Sequence, residues 1–532
     1  MNYKKLFCMS ALSLMLIPVA LADVAVANIF RTNMVLQREA VHPVWGTADP
    51  GEEVTVTFAG QTLTAKADDK GKWEVRLAPL DIQKTGSALV IKGKNTITLN
   101  NVVVGDVWLC GGQSNMDMTF NWGQGVIGRD EILKDSVNYP LIRRVKVQTR
   151  ASDVPADDIE CSPWAISGNN DTGNWVHDTL HWSAAGYIFA RRLHIESGIP
   201  MGILDNNWSG SPIEPFMSPE SFAEPGLEEL NKKLQTVTVG TPEWKETTQK
   251  LIADTKLWME KAEQANAAKG NLPPLPRMNT LSSLRFCYAY FAMMAPITRF
   301  PIKGAIWYQG CSNGGDRMQY YPKMHALVKG WRKAWGIDFP FYFVQLASFT
   351  KATNDPQGGN GYAFIREAQR KAMDIPKSGM ACAIDIGMQN DIHPLNKIDV
   401  GERLALWALR NEYGKKDIVV SGPLFKAVKF ENGKAIVTFD HAKGLMTAKK
   451  DGISKPVATP GEKPKHFAIC GADKKWVWAD AVIEGETVVL SSPEVKEPVA
   501  VRYAFRAYPD GVNMYNEAGL PMVPFRTDDE KK

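Results

Sequence analysis

The sequence predicts an α/β protein, with an open-sheet core carried between two β-rich stretches. Three observations point there. Residues 106–215 and 304–411 alternate short apolar strand-like runs with helix-like runs. Residues 23–105, and again the chain from 415 on, show period-two alternation with turn residues between the runs. Third, Val103-Val-Gly-Asp-Val-Trp-Leu-Cys-Gly-Gly-Gln-Ser-Asn-Met116 reads as a buried strand entering a glycine turn, with Ser114 just past it. Open α/β sheets place their chemistry at the C-terminal ends of strands.

The elements follow in order. Val54-Thr-Val-Thr-Phe58 and Trp73-Glu-Val-Arg-Leu77 alternate, with a turn at Asp68-Asp-Lys-Gly71, and suggest a small N-terminal β-sandwich over residues 23–105. Residues 183–197 carry apolar side chains at helical spacing, with Ser183 as N-cap and Gly198 as the stop. Met201-Gly-Ile-Leu204 is a short buried strand ending in Asn206-Asn-Trp-Ser-Gly-Ser211. Residues 218–280 are polar and helix-rich. Thr241-Pro242 opens a helix there, with Trp244, Leu251, Thr255, Trp258 and Ala262 on one face and Gly270 closing it. This region is expected to be an insertion packed on a catalytic unit spanning residues 106–414. Gly304-Ala-Ile-Trp-Tyr-Gln-Gly310, Pro340-Phe-Tyr-Phe-Val-Gln-Leu346 and Met380-Ala-Cys-Ala-Ile384 are further strands, and 320–335, 365–373 and 397–411 further helices. A second β-unit spans 415–532, with a hairpin signal at Asn432-Gly433 and a charged tail from Thr527.

Composition limits the function. Among 532 residues 44% are hydrophobic and 23% charged, which is ordinary for a globular chain, and the net charge is only +4. No basic stripe interleaved with aromatics suggests nucleic acid. Lys4 and Lys5, the apolar run 7–21 and the small-residue site Ala20-Leu21-Ala22 form an export signal, with the mature chain starting near Asp23. No cysteine follows that site to take a lipid, and no later apolar run reaches the ~20 residues of a membrane span. The expectation is an exported, soluble protein, periplasmic or secreted. Cys110, Cys161, Cys287, Cys311, Cys382 and Cys470 are scattered, and Cys110 and Cys382 read as buried small hydrophobes.

A serine hydroxyl is a weak nucleophile that needs a base and oxyanion donors. His393 is the base candidate, with Asp391 two residues before it to fix its tautomer; the alternative is a loop histidine capping the next helix. The loops at Gly210 and Gln309-Gly310 have the chemistry of oxyanion donors. His177 and His181 have the i,i+4 spacing of a zinc pair but lack the Glu of H-E-x-x-H, so no metal is expected. Cys311, after a strand, is a competing nucleophile.

Four ordered blocks resemble the sialate O-acetylesterase family, a branch of the SGNH/GDSL-type hydrolases. They are Trp108 to Met116, Asn206-Asn-Trp-Ser-Gly-Ser-Pro-Ile-Glu214, Ala305-Ile-Trp-Tyr-Gln-Gly-Cys-Ser-Asn313, and Asn390-Asp-Ile-His-Pro394 with Gly401-Glu-Arg-Leu-Ala-Leu-Trp-Ala408 after it. Arg366-Glu-Ala-Gln369 also fits. The resemblance implies a three-layer α/β/α core and hydrolysis of an O-acetyl ester on a sugar, with no cofactor. Ser114 would be the nucleophile and His393 the base. The amides of Ser114 and Gly210, with the side chain of Gln309 or Asn313, would hold the oxyanion. Arg366 or Arg317 would meet a sialic acid carboxylate. The chain departs from the family pattern at Cys311, where Glu is usual, and at Ser209-Gly210, where a small-Gly-Gly loop is usual. Asn390 stands where the superfamily places its Asp, so a Ser-His dyad stays open beside a triad with Asp391. An acetylxylan or other polysaccharide deacetylase, and a carbohydrate-binding protein with a silent core, are the competing readings.

Overall fold

The computed structural model describes residues 23–168 and 179–528. The export signal expected at 1–22, His177 of the histidine pair and residues 529–532 lie outside them.

The core is a twisted sheet built on its longest strand. Strands β1 (Val35–Gln37), β2 (Thr96–Gly112), β3 (Ile142–Lys146), β4 (Ala165–Ile166), β5 (Met201–Asn207), β6 (Gly304–Tyr308), β7 (Phe341–Gln345) and β8 (Ser378–Cys382) carry the argument. The order across the core is β4-β3-β5-β2-β6-β7-β8. All neighbours are parallel except β4, which runs antiparallel to β3. Strands β5 to β7 are buried along their whole length, as expected of parallel strands covered on both faces.

Helices cover both faces. The helices used below are α1 (Ser114–Asp117), α2 (Ala184–Ser197), α3 (Pro242–Ala267), which lies apart from the sheet, α4 (Tyr320–Trp335), α5 (Ala363–Lys371) and α6 (Lys397–Glu412). The pleat of β2 sorts them. Trp108 packs edge-on against Phe189 of α2, and Cys110 faces Gly186 of the same helix. Gly111, pointing the other way, faces Trp307 and Trp331 of α4. The result is the three-layer α/β/α core implied by the family resemblance. Helix α2 begins and ends where its sequence signals stand: Ser183 accepts from the Gly186 N–H, and Gly198 adopts φ 66°.

The boundary expected at 105/106 falls inside β2, which continues through it. The first half of β2 pairs with Gln83–Lys92 and β1, the second half with β5 and β6. A second small sheet joins Ala25–Val26, His42–Thr47 and Lys72–Leu77. Val44, Trp45, Val56, Trp73 and Leu89 from these strands belong to one core with the central sheet. The C-terminal strands instead close a core of their own around Val437, Phe467, Leu490, Tyr503 and Phe525. Its first hairpin turns at Asn432 (φ 50°) and Gly433 (φ 74°), the signature of a two-residue turn.

Helix α3 differs from expectation. Thr241 caps it and Pro242 opens it, but none of its residues is buried. Its apolar stripe does not dock in the core. The Trp258 indole donates instead to Pro273 O at 2.8 Å, so the helix lies on its own proline-rich return.

Helices α2 and α6 approach closely at Gly401, where a Cβ would stand 2.6 Å from Ile188 Cβ and 2.8 Å from Ala185 O. Gly401→Ala should therefore destabilise the fold by about 1–3 kcal/mol through overpacking, despite the better helix propensity of alanine. Chemical denaturation checks this; an unchanged midpoint would mean that the interface yields.

Candidate active site

Parallel register brings three strand ends level. Gly112 is opposite Asn207 on one side and Tyr308 on the other. Gly112 has φ +142°, and a Cβ there would lie 2.3 Å from Tyr308 O. Only glycine lets β2 end so close to β6. The chain then turns, and Ser114 opens the short helix α1.

His393 meets this serine across 279 residues of chain: Nε2 is 2.9 Å from Ser114 Oγ. Ser114 is 8% exposed, so the pair sits at the surface end of a buried turn. Asp391 Oδ1 accepts the backbone N–H of His393 at 2.8 Å and lies 3.4 Å from Nδ1. That second distance is long for a hydrogen bond, and the Asp391 side chain is 46% exposed. Burial holds His393 below the usual histidine value, the Asp391 charge opposes this, and Lys397 reinforces it. The Trp122 ring lies 5.5 Å from the imidazole, tilted 46° to it. His393 does not cap the next helix; Asn396 does, accepting from the Asp399 N–H.

The three loops are joined by buried amides. Gln113 Oε1 accepts from Gln309 Nε2, Gly310 N and Ser312 N at 3.1–3.3 Å. Gln309 Nε2 also donates to Asn313 Oδ1 at 2.7 Å and Ser211 O at 3.2 Å, and Tyr320 donates to Gln309 Oε1. Asn313 Nδ2 donates to Glu214 and Asp316. The expectation that Gln309 or Asn313 presents an amide to an oxyanion is therefore not met. Both side chains are buried and their donors are committed inward, because three loop ends must be satisfied away from water. Gly210 is exposed at φ +74° on the loop after β5. Its carbonyl accepts from Ser312 Oγ, and Trp208 N donates to Gly112 O at 3.0 Å.

An ion network sets that loop beside α1. Arg144 and Lys146 on β3 both pair with the buried Asp205 of β5. Lys146 continues to Asp117 Oδ1 at 2.6 Å, and Ser209 Oγ donates to Asp117 Oδ2 at 2.7 Å. The two cations hold the Asp205 carboxyl below the usual range although burial alone would raise it.

Of the two arginines proposed for substrate, Arg366 does not face a ligand. Arg366 is fully buried on α5, and its guanidinium donates to the backbone carbonyls of Ala347, Arg506 and Ala507. Burial pushes it down to about 10. It pins the C-terminal segment to the core and has no surface to offer a ligand. Arg317 is exposed, with its guanidinium 3.6 Å over the Phe364 ring. The competing nucleophile Cys311 is also disfavoured: burial pushes its thiol up to about 11, so a thiolate is scarce at neutral pH. Among the described residues the six cysteines are free, and no cluster of three His, Cys, Asp or Glu could hold a metal ion.

Asn115, Asp117, Trp122 and Lys397 were not singled out in the sequence, yet all four touch the serine turn or the histidine loop. The first two adjoin Ser114 in the chain, and Lys397 lies one helical turn past His393. Such proximity was the available signal.

Residues 288–410 match the family profile described as carbohydrate esterase, sialic acid-specific acetylesterase. The sialate O-acetylesterase of Mus musculus is 27% identical over 538 residues, covering 92% of each chain. That of Homo sapiens is 24% identical, covering 94% of this chain and 91% of its own. A solved carbohydrate acetylesterase from Xanthomonas citri is 31% identical, with TM-score 0.75, covering 95% of this chain and 99% of its own. The chain belongs to the sialate O-acetylesterase family. It is accordingly a carboxylic ester hydrolase. Its match to the Xanthomonas citri enzyme takes in the flanking β-rich segments as well as the core.

In this esterase Arg366→Met should lower the thermal midpoint by several degrees, because buried carbonyls lose their donors at about 1–3 kcal/mol each. KM of the folded enzyme should not change. A tenfold rise in KM at unchanged stability would return Arg366 to the substrate.

Proposed function

We propose that the protein removes O-acetyl groups from sugars by a serine mechanism, with sialic acid as the carbohydrate. The observation that carries the mechanism is the 2.9 Å contact between His393 Nε2 and Ser114 Oγ at the ends of β2 and the loop after β8. His393 takes the serine proton as Ser114 attacks the acetyl carbonyl. The backbone N–H groups of Ser114 and Gly210 receive the oxyanion, each donor worth roughly 3 kcal/mol. His393 returns the proton to the departing sugar oxygen, and water releases acetate by the same steps reversed. No step calls for a cofactor. Trp122 beside the imidazole offers an apolar face against which a sugar ring can lie.

The names of the mammalian relatives support sialic acid. The position of Arg366 favours a second reading, an O-acetylated neutral polysaccharide such as xylan. A carboxylate-bearing sugar calls for a cationic fork, and Arg366 spends its guanidinium on buried backbone carbonyls. Export through the signal at residues 1–22 fits either substrate, since both are found outside the cytoplasm.

Acetate release from 9-O-acetylated sialic acid and from acetylated xylan, measured side by side, separates the readings. Ser114→Ala should abolish release from whichever is the substrate; equal release by the variant would overturn the serine mechanism. Release from xylan alone would keep the mechanism and change the sugar.

The pH profile tests the base. Neutral His393 is the active form and its burial disfavours the proton. The acid limb of kcat/KM should therefore have its midpoint below the ordinary value of about 6.5. Asp391→Asn removes a charge that favours the imidazolium, so the limb should move to still lower pH. Its cost in kcat should be on the order of 10–100-fold, well short of the ~10⁴ lost with a buried triad acid, because Asp391 is half-exposed and 3.4 Å away.

A further inference from the structure

Lys397, the first residue of α6, is fully buried. Its Nζ donates to Asn115 Oδ1 at 2.9 Å and to Pro394 O at 2.5 Å. Asn115 follows the nucleophile and Pro394 follows the histidine. Asn115 Nδ2 in turn donates to Ile392 O at 3.0 Å. The carbonyls on both sides of His393 are thus held, one by Asn115 and one by Lys397, and the two holders are bonded to each other.

The ammonium has no carboxylate in contact among the described residues. Its other near neighbour is the Tyr308 ring, with the centroid 5.8 Å away. The titratable groups around it are Asp391 and His393 on the histidine loop and the Cys311 thiol on the loop after β6. A buried ammonium resting on neutral oxygens is costly, and a well-packed apolar side chain of the same volume would serve stability at least as well. The charge therefore calls for another explanation, and the two bonds that flank His393 supply it.

We propose that Lys397 is a positioning residue of the hydrolysis: its ammonium clamps the histidine loop to the nucleophile turn, and its charge holds His393 in the base form. This rests on the Ser114–His393 mechanism above. The sign of the electrostatic part follows from the charge. A cation near the imidazole disfavours imidazolium, so it lowers the pH at which His393 becomes protonated. Burial brings Lys397 itself down to about 7. Below neutrality, where His393 would otherwise take up a proton, Lys397 is charged and opposes that uptake.

The test compares Lys397→Met and Lys397→Arg with the wild-type protein for kcat, KM and the acid limb of kcat/KM. Lys397→Met should lower kcat about tenfold or more through loss of alignment, with KM held within about twofold. Its acid limb should move to higher pH. Lys397→Arg keeps a permanent cation, so its acid limb should stay at the wild-type position even if its bulk lowers kcat. Thermal unfolding establishes that each variant is folded. If Lys397→Met does not fold, Lys397→Gln is read in the same way. Wild-type kcat with an unmoved acid limb in the uncharged variant would overturn the proposal, as would a lowered kcat with the limb unmoved, which marks a structural role. Ser114→Ala separates the two levels: an inactive serine variant beside an unaffected Lys397→Met leaves the mechanism and removes the clamp, whereas an active serine variant removes both.

Discussion

The end of β2 is the constraint on which the site depends. The strand enters from the N-terminal sheets, passes through the middle of the core and stops where β6 leaves no room for a side chain at Gly112. The Gln113 N–H then donates to Tyr308 O at 3.1 Å, so the last contact of the strand is also the first of the turn. Ser183 Oγ, which caps α2, donates to Met116 O at 2.6 Å and fixes the far side of that turn. The serine is held between the two layers of helices by backbone contacts, which cost little side-chain entropy to maintain.

Two kinds of polar material surround this turn and differ in what they can do. Towards β6 lie neutral amides: Gln113, Gln309 and Asn313, with Gln369 donating to Gln309 O. Towards β3 and β5 lie charges: Arg144, Asp205, Lys146 and Asp117. The donors of Gln309 and Asn313 are taken up by one another's loops and by Glu214 and Asp316, so these side chains fix loop positions. This leaves backbone N–H groups as the oxyanion donors of the proposed reaction, and such donors need no rotamer change as charge develops. The ion network is paired at each step, which is how a carboxylate as buried as Asp205 stays ionised.

Much of this was legible in the sequence because the signals were local. Helix α2 shows its cap and its stop, α4 spans the expected 320–335, and Asn432-Gly433 turns where such a pair should. Ser114 stood out at a glycine turn and His393 beside Asp391, and the four ordered blocks that resemble the family joined the two. Side-chain direction was not. Nothing in Gln309 or Arg366 as letters distinguishes an amide or guanidinium facing substrate from one facing three buried carbonyls; that depends on which loops crowd it. Lys397 was hidden for the same reason, since a lysine at the start of a helix is ordinarily solvated. Helix α3 shows the converse. Its apolar stripe was real, but the partner surface was its own proline-rich return rather than the core.

The charge balance at His393 explains how the pair can work with so exposed an acid. A carboxylate in contact with water is screened, and Asp391, 3.4 Å from Nδ1, favours the imidazolium without outweighing burial. Burial and the Lys397 ammonium act in the opposite sense, and together they prevail. Cys311 does not offset that ammonium, because its thiol is pushed up to about 11 and stays neutral. The imidazole thus gains its orientation from the bonds to the carbonyls of Ile392 and Pro394 and from packing beside Trp122, and its basicity is lowered first by burial, with the Lys397 charge acting in the same sense. A site built this way trades some stabilisation of the imidazolium for a histidine that is already free to accept the serine proton.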